Sequence, residues 1–435
     1  MQTPTTEHQR FLKKINNQLF IILLLMVACF FTWSENVAIT RAIKVVGRMG
    51  VMISSIIVYY RIISYGSVNS LVYKNIFSPI LYIAYLILGF ISFSWSTNPG
   101  FSALQWFMTF QSFVFAYFFV KSLAILDVYF EGHSIRLYHL LGNTVFVLQL
   151  VFVIGMWTNP DVFFRLTDGG EEARLGGTLM NPNELGMLAG VGSACLIFDL
   201  YRFKNKVWTI IKIMIILYAL YMTGSRSSLI GVLLIIFFHV NQTKRKGLKL
   251  GIIAVVLAIA PFAVYMVILK GGDQSRLEEV MSLTGRLPFW KALITEGLPR
   301  EPLLGFGFMR IDYKEFFQSA HTYPGKMTHN TFMQVLMNLG FIGFTIVLFQ
   351  VFFTVKSILS AQKELKLMLI GILIPILINS FTEFGIFGES NYGILFYQII
   401  IFSIAFRNNN HLTRIQRIIL QKKRPDMMGQ FEFKN

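Results

Sequence analysis

"MTHNTFMQVLMNLGFIG", Met327 to Gly343, opens on a histidine and an asparagine and runs straight into a long apolar segment that carries Gly340 and Gly343. What a histidine does at the mouth of such a segment depends on the solvent the segment meets. Of the 435 residues, 54% are hydrophobic and only 14% are charged, a balance that excludes an ordinary water-soluble globular domain. The apolar runs are long and continuous instead of alternating, so they predict membrane-crossing helices and not a barrel.

A hydrocarbon layer about 30 Å thick needs about 20 apolar residues for each helical crossing. Crossings are expected near 16–33, 45–65, 76–95, 101–121, 137–157, 183–200, 207–223, 227–240, 250–269, 330–355, 367–383 and 391–406, twelve in all. The pair 207–223 and 227–240 is separated only by Gly224, Ser225 and Arg226. Read as one bent helix, it would need a large tilt to fit one crossing. The expected fold is therefore an all-α integral membrane protein, divided into helices over 1–269, a large outer loop over 270–329, further helices over 330–406 and a basic tail over 407–435.

Basic residues are retained on the cytoplasmic side, and this sets the expected orientation. With the N-terminus inside, Arg10, Lys13, Lys14, Lys74, Lys121, Arg136, Arg202, Lys204, Lys206, the cluster from Lys244 to Lys249, Lys356, Lys363, Lys366 and the basic tail fall inside. The short outer loops keep only Arg41, Lys44, Arg48, Arg165, Arg174 and Arg226. The formal charge of +17 is thus read as topology, with attraction to the anionic inner leaflet. Nucleic acid is not an expected partner, because the charges are spread over many loops and form no single face.

Cys29 and Cys195 lie in apolar runs and imply neither a disulfide framework nor a metal cluster. "MVAC" before Phe30 has the outline of a lipoprotein cleavage site, but "FFTW" after it stays apolar, as in an uncleaved first helix. The chain has no Asp-x-Asp pair, no phosphate-binding glycine loop of the Walker type and no HExxH. A metal clamp for a sugar nucleotide, an ATP-driven machine and a zinc protease are poor fits.

Two outer loops are longer than connectors, 158–182 and 270–329. In the second, Leu287, Trp290, Ile294 and Leu298 fall at helical spacing and predict an amphipathic helix lying on the membrane surface. The chain then turns through Pro302, Gly305 and Gly307, with a short helix expected around Ile311 to Ala320.

On this topology His329 stands at the outer mouth of a crossing. There its imidazole can act on an acceptor hydroxyl arriving from water, or His329 and Asn330 can simply cap and hydrate a helix end. Gly340 and Gly343 read as packing positions that admit a neighbouring helix backbone. Arg226 closes "TGSRSS" beside the apolar layer, where a guanidinium either binds an anion such as phosphate or snorkels to the interface. Arg286 repeats the pattern at the head of the amphipathic segment. In "GGTLMNPNELG", Asn181 or Asn183 is a natural helix cap with Pro182 in the first turn, and substrate contact at the helix start is the alternative.

Taken in order, these residues resemble the bacterial O-antigen ligase and O-antigen polymerase superfamily. The ligase motif of His, then Asn or Ser, nine residues, Gly, two residues and Gly is matched by His329, Asn330, Gly340 and Gly343. The serine–arginine helix start is similar to Ser225 and Arg226. A pattern of arginine, tryptophan, proline, leucine and paired glycines is similar to Arg286, Trp290, Pro302, Leu303, Gly305 and Gly307, and the asparagine–proline–asparagine start to Asn181, Pro182 and Asn183. The matches run from Gly176 to Gly343, and the first five helices share only the family's layout.

The resemblance implies a GT-C-like, metal-independent and cofactor-free inverting glycosyltransferase of the bacterial inner membrane. Its donor would be a glycan on undecaprenyl diphosphate, among membrane lipids, and its acceptor lipid A-core or, in a polymerase, a growing glycan. His329, Arg226 and Arg286 would be catalytic at the periplasmic face, and Asn330, Asn181, Asn183 and Arg174 would bind substrate. A lipid-linked oligosaccharide flippase or other transporter is the rival of another class. It would place ionisable residues near the bilayer midplane, whereas Arg61, Lys212 and Glu184 fall near the ends of their crossings.

Overall fold

The computed structural model describes residues 6–66, 75–130, 133, 135–167, 172–200, 206–242, 247, 250, 254, 286–309, 328–383 and 385–407. The crossing expected over 250–269, apart from Leu250 and Ala254, most of the 270–329 loop, its helix around Ile311 to Ala320, and the tail beyond Arg407 lie outside these residues.

The described chain is almost entirely helical. In order it forms α1 (Thr6–Ala28), α2 (Val37–Ala42), α3 (Arg48–Gly66), α4 (Phe77–Ile91), α5 (Pro99–Tyr129), α6 (Leu137–Thr158), α7 (Pro160–Phe163), β1 (Phe164–Thr167), β2 (Glu172–Leu175), α8 (Pro182–Leu200), α9 (Lys206–Thr223), α10 (Arg226–Asn241), α11 (Arg286–Ala292), α12 (Thr331–Ser360), α13 (Lys363–Thr382) and α14 (Tyr392–Arg407). Among the described residues nine helices are long and apolar enough to cross a membrane, and α10 and α14 are shorter apolar helices. The protein is thus a multi-span membrane protein.

Four expectations are corrected. Arg41, Lys44 and Arg48 are not in a loop: α2 passes through one π-helical turn, Ile43–Gly47, into α3, and the continuous segment starts at Val37. The Asn36 side chain caps it, accepting from the amides of Ala38 and Ile39. Lys121 is likewise inside a helix, because α5 continues to Tyr129, and its ammonium is held by the Tyr117 hydroxyl at 2.9 Å. The 158–182 loop contains an antiparallel hairpin, β1 with β2, in which Arg165 pairs with Arg174. Finally, the segment after Arg286 packs through Phe289 and Leu293, with Trp290 and Leu298 beside them, whereas Leu287 and Ile294 are exposed.

Helix α8 lies at the centre, packed against α6, α9, α10 and α13. Its sequence, rich in Gly, Ala and Ser, lets those backbones approach. A side chain at Gly186 would strike Ser225 and Ser228 at the start of α10, and one at Gly190 would strike Pro375 of α13. This close approach sets the start of α10 against the start of α8. Helix α14 is apolar all round and buried from Tyr392 to Phe406, as a fully enclosed helix requires.

Helix α12 is broken at Gly340, which adopts φ +60°. The backbone that approaches it belongs to an irregular segment, Pro302–Met309, and not to a helix. The amides of Phe306 and Gly307 donate to the carbonyls of Met337 and Asn338 at 2.9 and 2.8 Å, and the amides of Phe341 and Ile342 donate to the carbonyls of Pro302 and Leu303 at 2.8 and 3.2 Å. These four hydrogen bonds stand in for helical ones lost at the break, as non-helical backbone within an apolar bundle demands. The same segment is pinned on its other side, where the Phe308 amide donates to Ser92 Oγ at 3.0 Å and Phe308 fills the space left by Gly89 of α4.

Candidate functional site

The starts of α8, α10 and α12 and the ends of α9 and α13 meet at one end of the bundle, as direct hydrogen bonds between them require. The N-terminal half of α12 carries an apolar patch, Leu336 and Met337, on which Phe289 and Leu293 dock. That packing brings Arg286 over the end of α13. The indole of Trp290 donates to the Thr328 carbonyl at 2.7 Å, fixing the chain one residue before His329.

His329 has φ +48° and is the one described non-glycine residue with a positive φ. A left-handed backbone costs an ordinary residue roughly 1–2 kcal/mol. Asn330 offsets this as the N-cap of α12, its side chain accepting from the amides of Phe332 and Met333 at 2.9 and 3.1 Å. The capping expectation for Asn330 therefore holds, and the cap aims the preceding imidazole towards α13.

The residue that receives it is Glu383, immediately after α13, which no local pattern in the sequence had singled out. His329 Nδ1 lies 2.6 Å from Glu383 Oε2. Glu383 Oε1 accepts from Arg286 Nη2 at 2.9 Å and from Asn183 Nδ2 at 2.8 Å. Arg286 also donates to the Thr382 carbonyl. Arg174 Nη2 donates to Asn183 Oδ1 at 2.8 Å, and its Nε to the Thr223 carbonyl at 2.7 Å. Asn181 accepts from the Asn183 amide at 2.9 Å, so it caps α8 while Asn183 reaches into the cluster.

Glu383 is buried, and burial alone would raise its pKa. The hydrogen bond and charge of His329, the charge of Arg286 and the Asn183 amide outweigh that and hold the carboxyl below its ordinary value. The cluster therefore contains an ionised carboxylate that orients an imidazole and a guanidinium.

Arg226 is the first residue of α10 and is exposed at the rim, beside Ser225, whose hydroxyl donates to Ser228 Oγ at 2.9 Å. Among the described residues it has no hydrogen-bond or ion-pair partner. The structure thus gathers His329, Arg286, Asn183 and Arg174 through Glu383. It leaves Asn181 and Asn330 as caps that hold the cluster, and sets Arg226 at its edge. Among the described residues no three His, Cys, Asp or Glu side chains converge as a metal-ligand set.

Residues 211–348 match the family model for O-antigen ligases. The match covers about a third of the chain and shows what this segment is similar to. The matched segment holds Arg226, Arg286, His329, Asn330, Gly340 and Gly343, whereas Arg174, Asn181, Asn183 and Glu383 lie outside it. No curated protein matches the chain.

Proposed function

We propose that the protein is an inverting glycosyltransferase that moves a glycan from undecaprenyl diphosphate to an acceptor hydroxyl at the periplasmic face of the inner membrane. The observation that carries this reading is the contact between His329 Nδ1 and Glu383. With Nδ1–H donated to the carboxylate, Nε2 keeps the lone pair and is the ring nitrogen able to take a proton.

In the reaction, Nε2 of His329 accepts the acceptor O–H proton as that oxygen attacks the anomeric carbon. The bond from this carbon to the diphosphate oxygen breaks on the opposite face, inverting the configuration. Negative charge builds on the departing diphosphate. Arg226, which keeps its guanidinium for a ligand, meets that charge, and Arg286 supports it from beside Glu383. Holding both substrates at one membrane surface supplies proximity. In this reading 270–329 is the periplasmic loop, both termini are cytoplasmic, and the acceptor is lipid A-core.

The test uses purified protein in liposomes with an undecaprenyl diphosphate-linked glycan, with and without lipid A-core. Glycan on lipid A-core, lost in His329→Ala, supports the ligase. Longer glycans on undecaprenyl diphosphate without a core acceptor replace it with a polymerase. Transfer retained in His329→Ala reduces the histidine to a helix-end residue and overturns the mechanism.

A further inference from the structure

A cavity of about 520 Å³ opens between the α2–α3 helix, the start of α5 and the loop that precedes α14. That volume lies in the range of small-molecule sites, roughly 300–1,000 Å³. Three cations, Arg41, Lys44 and Arg48, line it from successive turns of one helix. Glu35 and Glu389 line it too, so charge balance alone does not name its ligand.

Arg48 does. It is 1% exposed, yet among the described residues no carboxylate lies within ion-pair distance of its guanidinium. Its neighbours are neutral: Nη1 donates to Ser390 Oγ at 2.8 Å, the guanidinium lies 3.6 Å from the Phe30 ring centroid, and Nε has no hydrogen-bond partner. A buried guanidinium with only neutral partners is costly, and an anion entering the cavity removes that cost. The rest of the wall suits a sugar. The Trp33 indole is pinned by its donation to the Ala28 carbonyl at 2.8 Å, leaving an exposed aromatic face, and Gln105, held by the Ser390 amide at 3.1 Å, offers hydrogen bonds beside it.

We infer that this cavity is a subsite for an anionic saccharide, a sugar bearing a phosphate or carboxylate, whose charge pairs with Arg48. Its assignment to the acceptor side rests on the transferase reading above. The loop from Glu383 to Ser390 joins the two sites, and the six steps from Glu383 to Glu389 span at most about 20 Å. Leu179 lines the cavity two residues before Asn181, the cap of α8 at the other cluster. An occupant of the cavity therefore sits at the same end of the bundle as His329.

The test is saturation-transfer NMR on the full chain in nanodiscs of neutral phosphatidylcholine. The probes are glucose 1-phosphate, methyl glucoside and inorganic phosphate. Saturable glucose 1-phosphate binding is expected, with methyl glucoside weaker by about tenfold or more, as loss of a charge-assisted hydrogen bond predicts. Arg48→Met should abolish binding, and His329→Ala should leave it unchanged. If Arg48→Met does not fold, the rim variant Arg41→Ala carries the test and should weaken binding several-fold.

Absent binding in the wild type, equal binding of the uncharged sugar, or binding insensitive to both arginine variants overturns the subsite. Inorganic phosphate competing as well as the sugar phosphate, or displacement by added phosphatidylglycerol, makes it a site for free phosphate or a lipid headgroup and overturns the saccharide assignment. Binding without transfer from any donor leaves the subsite standing and removes the transferase; transfer without binding does the reverse.

Discussion

His329 Nδ1 and Glu383 Oε2 lie 2.6 Å apart across 54 residues of chain, one at the start of α12 and the other at the end of α13. The pair fixes which imidazole nitrogen holds the proton, and so which one can take another. Glu383→Gln keeps the shape but removes the charge that stabilises a protonated imidazole. Transfer is expected to fall by about 10²–10⁴ in kcat, with KM changed far less. Initial rates at saturating donor and acceptor check this, and a kcat within a few-fold of wild type would remove Glu383 from the mechanism.

Glu383 also ties the pH dependence of folding to the site. Its carboxyl is held below the ordinary value of 4.5, so the folded state gains when the group is ionised. The gain is fully present above 4.5 and is lost as pH falls through the lower folded-state value. The difference in thermal stability between wild type and Glu383→Gln should be constant from neutral pH down to about pH 5 and shrink only below it. Thermal unfolding of both proteins in one detergent, at steps from pH 7 to pH 3, reads this directly. A difference that already shrinks between pH 7 and pH 5 would mean that Glu383 does not set this pH dependence.

Asn181 and Asn183 separate capping from site assembly within three residues. Asn181 only caps α8, so Asn181→Ala should cost about 1 kcal/mol of stability with kcat nearly intact. Asn183 bridges Arg174 and Glu383. Asn183→Ala should therefore lower kcat by roughly tenfold or more, because an unmade hydrogen bond to a charged group is costly. Parallel melting curves and rates on the two variants test the split, and equal effects in both assays would mean that the bridge has no catalytic role.

The helices and their capped starts were legible because each depends on a local signal: an apolar run of crossing length, or Asn beside Pro and an amide-rich first turn. Asn181 and Asn330 both cap where their residue types predict. Glu383 was not legible, since nothing in its spacing points to a histidine 54 residues away. The available signal was a lone carboxylate placed between an apolar helix and the turn-rich stretch "FGIFGES". The hairpin was missed because four-residue strands such as Phe164–Thr167 and Glu172–Leu175 are too short to show alternation. The inward face of the segment after Arg286 was misread for a related reason. Both of its faces are apolar, and only the patch at Leu336 and Met337 decides which one packs.

Gly340 gives the sharpest test of how the fold holds the site. A methyl group there meets the backbone of Leu303 and Leu304, and the φ of +60° disfavours any L side chain. Neither obstacle can relax by moving a flexible side chain. Gly340→Ala should therefore cost more than the roughly 1–2 kcal/mol of the left-handed backbone alone. It should also expel the Pro302–Met309 segment, which shares four backbone hydrogen bonds with the break. The control is Gly50→Ala on α3, where an added methyl meets nothing within 4 Å and should stabilise that helix by about 0.5–1 kcal/mol. Thermal unfolding of both variants, with limited proteolysis after Arg300 as a probe of the released segment, decides the case. Equal stability of the two would mean that α12 can close its break as a regular helix and that the inserted segment does not hold His329.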